Sequence, residues 1–148
     1  MIRYKTYCKK IPTKLEGVTD SFCNKPRGGL WGCRGDEWKN WCLDEDFNLS
    51  GLKHNFYWRL KKGSKVYRIR TESDFIKLVT KYGNNKLTSI DYMQMKKDYD
   101  AIEVIGKIVH KLRYGCKDTG HNLIDLMGLN VWDVPSICVM NIERVILL

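Results

Sequence analysis

The chain has 148 residues, enough for one domain that buries about two-thirds of its unfolded surface and needs no covalent or metal staple. Its 26 basic and 17 acidic residues leave a formal charge of +9, spread along the chain instead of gathered in one run. That charge fits polyanionic partners and equally fits a plain soluble basic surface, while the longest apolar runs, such as Ser136-Ile137-Cys138-Val139-Met140, are too short to cross a bilayer.

Six cysteines follow an opening, Met-Ile-Arg-Tyr-Lys-Thr, that has no apolar leader character, so reduced thiols and a cytoplasmic location are expected. No Cys-x-x-Cys or His-x-x-x-His spacing occurs, and no metal site is predicted.

In chain order, residues 2–9 read as a first strand, rich in Tyr and Thr. The segment Lys25-Pro26-Arg27-Gly28-Gly29-Leu30-Trp31 then reads as a binding loop: glycines permit positive φ and close approach, Lys and Arg offer charge, and Trp31 offers a stacking face. The plain alternative is a Pro-x-Gly-Gly turn, with Trp31 opening a core strand. Residues 36–43 form a predicted short helix whose Trp38, Trp41 and Cys42 share one face, with both indoles expected to pin it to the core. Asp36, Glu37, Asp44, Glu45 and Asp46 make this stretch locally acidic and hostile to phosphate.

Residues 56–60 and 65–70 are predicted to pair as a hairpin around Lys61-Lys62-Gly63-Ser64. Thr71-x-x-Asp74 resembles a capping box for a helix that Gly83 stops, and Thr88-x-x-Asp91 opens a second helix ending near Lys97. Residues 101–105 are a strand by aliphatic content. Residues 108–114 are compatible with strand or helix, and 122–129 with a short helix or irregular loop. Pro135 precedes a buried strand over 137–140, residues 141–143 turn, and 145–148 are apolar enough to be buried. This is an α+β pattern in a single domain, 1–148.

Three carboxylates, Asp100, Glu103 and Asp133, lie in or beside apolar strands, where a charge is costly unless it has a partner or a function. For Glu103, alternation with Ile102 and Val104 also allows a solvated strand face. No Gly-x-Ser-x-Gly elbow, Cys-His neighbour pair, Walker loop or Rossmann glycine pattern is present.

Taken together, Lys25-Pro26-x-Gly28-Gly29-Leu30-Trp31, Trp38-x-x-Trp41, Tyr99-Asp100-Ala101-Ile102-Glu103-Val104 and Trp132-Asp133-x-x-Ser136-Ile137, followed by Asn141, resemble a family of small phage and bacterial proteins. In outline they are also similar to small ADP-ribosyltransferase-fold proteins, including a phage anti-CRISPR enzyme. The resemblance implies a split, bent, mostly antiparallel sheet with a few short helices clasping NAD as substrate. It further implies that a host protein or nucleic acid is modified in opposing host defence.

Cleaving the nicotinamide–ribose bond passes through an oxocarbenium-like state that a carboxylate stabilises. On the resemblance, Glu103 is the first candidate for that carboxylate and Asp133 the second. Arg3 or Tyr4 would supply a first-strand contact, Gly28 and Gly29 close backbone approach, Lys25 a pyrophosphate contact and Trp31 a stacking face. The family's Glu-x-Glu or Gln-x-Glu pair is absent, since Ala101 stands two before Glu103, and so is a Ser-Thr-Ser strand. The alternative is therefore a non-catalytic inhibitor or nucleotide binder that occupies a host protein, its signal nucleotide or nucleic acid.

Overall fold

The computed structural model describes residues 1–22, 25–83, 89–111 and 132–148. The strands and helices are β1 (Tyr4–Cys8), β2 (Val18–Phe22), β3 (Lys25–Gly28), β4 (Leu30–Gly32), α1 (Glu37–Asp44), β5 (His54–Leu60) and β6 (Val66–Ile69). These are followed by α2 (Glu72–Tyr82), α3 (Tyr92–Met95), β7 (Ala101–Val104), α4 (Ile108–Lys111), β8 (Ser136–Val139) and β9 (Val145–Leu147). Short 3₁₀ turns occupy Leu49–Leu52 and Ile142–Arg144.

β1 is rich in Tyr and Thr, which suits a half-buried strand, and it pairs antiparallel with β5 from Tyr4 opposite Trp58 to Cys8 opposite His54. The far edge of β5 takes β9, giving the order β1-β5-β9. A second sheet runs β4-β8-β7-β6. Its β6–β7 pair is parallel, because α2 and α3 carry the chain across between them. The β2–β3 hairpin forms a third, two-stranded unit.

Backbone bonds between Lys5 and Cys33, N to O at 2.8 and 3.0 Å in the two directions, join β1 to the end of β4. The two larger sheets thus form one split surface in a small, mostly antiparallel α+β domain.

Tyr4, Leu30, Trp58, Ala101, Ile137 and Val139 make a core where the sheets meet, with the Tyr4 and Trp58 rings stacked at 4.8 Å. A larger core lies under α2 and α3, from Phe75, Leu78, Val79, Tyr92 and Met95 to Ile69, Ile102 and Trp132. The Thr71 capping box is present in full: its hydroxyl accepts from Asp74 N–H, and Asp74 accepts from Thr71 N–H.

Three expectations change. Residues 56–60 and 65–70 do not form a hairpin: β5 and β6 belong to different sheets. The cause is Asp100, whose carboxylate and carbonyl neighbourhood fasten the entry to β6 beside β7. It accepts from Lys65 N–H at 2.8 Å and from Asn141 Nδ2 at 3.1 Å, with Arg144 3.4 Å away. Second, the chain end is not buried: β9 is an edge strand, and Leu147 and Leu148 are exposed. Third, the second helix is a single turn capped by Asp91, whose side chain accepts from Gln94 N–H. Thr88 and residues 122–129 lie outside the described residues. Within 108–114, residues 108–111 are helical and the rest are likewise outside.

Candidate functional site

The proposed Gly-Gly loop is not a free loop. Lys25 to Gly28 is β3, Leu30 to Gly32 is β4, and the two glycines form the bend between them, at φ 75° and 78°. Both φ values are in the left-handed region that disfavours other residues. Space is also short: a Cβ on Gly29 would sit 2.7 Å from Cys138 Sγ and 2.8 Å from the Val139 carbonyl, and one on Gly28 would sit 2.9 Å from the Gly17 carbonyl. These glycines are required by the chain's own passage from hairpin to sheet, whatever binds nearby.

Beyond this bend β4 borders a cleft of about 410 Å³. Lys5, Thr6 and Tyr7 form one wall, Lys25 and Gly29 to Cys33 another, and Trp38, Trp132, Asp133 and Ser136 complete it. Trp31 is its central aromatic. The Trp31 indole N–H donates to the Gly28 carbonyl at 3.0 Å, its ring leans on the buried Trp132 at 4.9 Å, and the Lys25 ammonium lies 4.9 Å from its centroid. The geometry therefore fixes the indole ring, with a cation lying over it.

Lys5 is committed elsewhere. It donates to Asp36 at 2.6 Å, which holds its ammonium well above the ordinary lysine range, and Tyr7 donates to the same carboxylate. Asp133 is half-buried at the cleft wall, and among the described residues it makes no hydrogen bond or ion pair. The thiols near the cleft are poor nucleophiles: burial pushes Cys33 up to about 12 and Cys138 higher still, so both are protonated at neutral pH.

A second depression, about 220 Å³, adjoins the first at Ser136 and has Tyr4, Arg34, Glu37 and Glu103 on its lining. Glu103 is 2 % exposed, so it does not lie on a solvated strand face. Tyr4 OH donates to one of its oxygens at 3.1 Å and Arg34 Nε to the same oxygen at 2.7 Å. Arg68 Nε donates to the other oxygen at 3.0 Å. Parallel pairing sets this up, since Arg68 stands directly opposite Glu103. Burial, then the neighbouring Glu103 charge, pushes the Tyr4 hydroxyl up to about 12. It remains a donor across the working pH range. A carboxylate held by two guanidinia and a phenol has its charge and both oxygens engaged, which suits a structural clasp better than a reaction centre.

The eight residues singled out in the sequence thus divide. Lys25, Gly29, Trp31 and Asp133 meet in the larger cleft, and Tyr4 and Glu103 meet in the smaller pocket. Gly28 stands at the bend behind Trp31. Arg3 borders neither depression: it is exposed, with its guanidinium 4.5 Å over the Tyr57 ring. Trp38 and Trp41 are not core anchors. Both are half-buried and stack on each other at 5.2 Å, while Cys42 is the buried residue of α1. On an eight-residue helix the i, i+3 indoles cover one another, and the small thiol makes the inward contact.

Sequence reasoning did not find Trp132 as the support behind Trp31, or Arg34 and Arg68 as the partners of Glu103. Only Arg68 carried a signal, through its alternation with Tyr67 and Ile69 in β6. Comparison with protein-family models, curated proteins and solved structures gave no match.

Proposed function

We propose that the protein binds a nucleotide-class ligand in the larger cleft, the base lying on Trp31 and the phosphate meeting Lys25. The observation that supports this reading is the fixed Trp31 ring, braced by Trp132 and by its own bond to Gly28, with a lysine ammonium over it that a base would displace toward its phosphate, in a cleft of nucleotide dimensions. Isothermal calorimetry against AMP, ATP and NAD tests it. Binding is expected for at least one of them, weakened tenfold or more by Trp31→Ala and by Lys25→Ala. No heat with any of the three at millimolar ligand would remove the proposal.

A second reading is NAD-dependent ADP-ribosyl transfer to a host protein or nucleic acid, and Asp133 favours it. This carboxylate faces the same cleft and has no bond or ion pair among the described residues, so it is available to stabilise a ribose cation. Transfer of label from NAD into a host lysate, lost in Asp133→Asn while NAD still binds, is the expected result. Labelling unchanged in Asp133→Asn would exclude that role.

A further inference from the structure

Residues 36–49 differ from the rest of the molecule in charge and in surface. They hold five acids, Asp36, Glu37, Asp44, Glu45 and Asp46, against the single Lys39, a net charge of −4. The chain total is +9, so the remaining residues carry +13. In this same stretch Leu43, Phe47 and Leu49 are 54 %, 51 % and 46 % exposed. Phe47 packs edge-on to both stacked indoles, 6.3 Å from Trp38 and 5.4 Å from Trp41. The residues on either side of Phe47, Asp46 and Asn48, are held at φ 50° and 47°. Left-handed backbone at two non-glycine residues costs energy, and here it keeps an aromatic side chain at the surface against two others.

Three aromatic rings packed on one another with Phe47 half-exposed, in a stretch of one sign of charge, are the pattern of an interaction site. Asp36 is engaged with Lys5 and Tyr7, and Glu37 accepts from Gly35 N–H. Asp44, Glu45 and Asp46 are exposed, and their carboxylates make no hydrogen bond or ion pair among the described residues. We infer that α1 and the turn after it dock a cationic segment of a partner protein, its arginines against the three carboxylates and the indoles and its apolar side chains against Phe47. Charge complementarity selects this occupant: the carboxylates repel nucleic acid and attract guanidinium, which also stacks on Trp.

The test uses a synthetic peptide of alternating Arg and Leu, added to ¹⁵N-labelled protein, with a Glu-Leu peptide as control. Since the remaining surface is basic and repels the peptide, perturbation of the indole N–H signals is expected to be confined to Trp38 and Trp41. An Asp44→Asn, Glu45→Gln, Asp46→Asn triple variant is expected to weaken binding at least tenfold, and Phe47→Ala to do the same. Lys77→Ala, at an exposed position of α2, is expected to leave the peptide affinity unchanged. The inference is overturned by any of three results: no shift of these two indoles at millimolar peptide, equal binding of the Glu-Leu peptide, or undiminished affinity in the triple variant. Shifts that depend on protein concentration alone would assign the face to a second copy of the chain and likewise overturn it.

Discussion

Replacing Glu103 with glutamine separates a structural carboxylate from a catalytic one. The change keeps the shape but removes the charge that faces Arg34 and Arg68, and it turns an amide N–H₂ toward one of these donors. Each lost charge-assisted bond is worth roughly 1.5–3 kcal/mol when its partner is buried. The guanidinia here are 43 % and 30 % exposed, so water replaces part of what is lost. The net cost is then about 2–3 kcal/mol, well below the sum of the two bonds. For a domain of this length one kcal/mol moves the midpoint by about 2–4 °C, so the thermal transition of Glu103→Gln is expected roughly 5–10 °C below the parent. Calorimetric melting at neutral pH measures it. A cycle with Arg34→Met is expected to show coupling above about 0.5 kcal/mol, because the bond to Arg34 is gone in either single variant. A Glu103→Gln protein that melts with the parent but has lost all NAD-dependent labelling would refute the clasp and return Glu103 to the reaction centre.

Gly29→Ala is expected to cost about 2–4 kcal/mol, from left-handed φ together with contacts under 3 Å, whereas Gly63→Ala, at φ 83° but with open space around it, is expected to cost about 1 kcal/mol; urea unfolding of the pair separates strain from crowding. Asp133→Asn is expected to stay within about 0.5 kcal/mol of the parent in the same assay, since it breaks no bond among the described residues. Asp100 gives a pH signature. Burial works against its charge, but the Lys65 N–H, the Asn141 amide and Arg144 outweigh burial and hold its carboxyl below the usual range. Its folded pKa is therefore below its unfolded one, near about 3.9, so the ionised group stabilises the fold above about pH 4, and that contribution is lost as pH falls through the folded value. Asp100→Asn is expected to be less stable than the parent at pH 7, with the gap closing below about pH 4; a gap that stays constant in acid would contradict this account.

Local rules carried much of this fold. The Thr71–Asp74 reciprocal cap, the α2 register, the aliphatic run of β7 and the strand after Pro135 are each set by neighbours within a few residues, and each stands where the pattern put it. Pairing was not legible. A short turn between β5 and β6 looks the same whether the strands meet or part, and the outcome rests on Asp100, distant in sequence, holding Lys65. The cleft was half legible. Lys25, Trp31 and Asp133 stood out by residue type, but what makes Trp31 a rigid surface is Trp132, far along the chain. Glu103 shows the limit from the other side. An acid in an apolar strand signals that something pairs with it, and the sequence does not say whether that partner is a substrate or two arginines.

The junction between β1 and β4 is held by side chains more than by backbone: the Tyr4–Trp58 core and the Tyr4 bond to Glu103 cross it. Five residue pairs align β1 with β5, whereas the crossing to β4 has one reciprocal pair of backbone bonds, Lys5 with Cys33, helped by the Thr6 hydroxyl on the Trp31 carbonyl. Thr6, Trp31, Gly32 and Cys33 are also cleft lining, so the junction runs along the cleft itself. A molecule seated there touches both halves at once and acts as a splint across them. Its affinity includes whatever work is needed to stop the halves shearing, and the Lys5 and Cys33 amides should exchange more slowly with solvent once it is in place. On the proposed function, slowed exchange of these two amides is then a readout of occupancy that needs no label on the ligand.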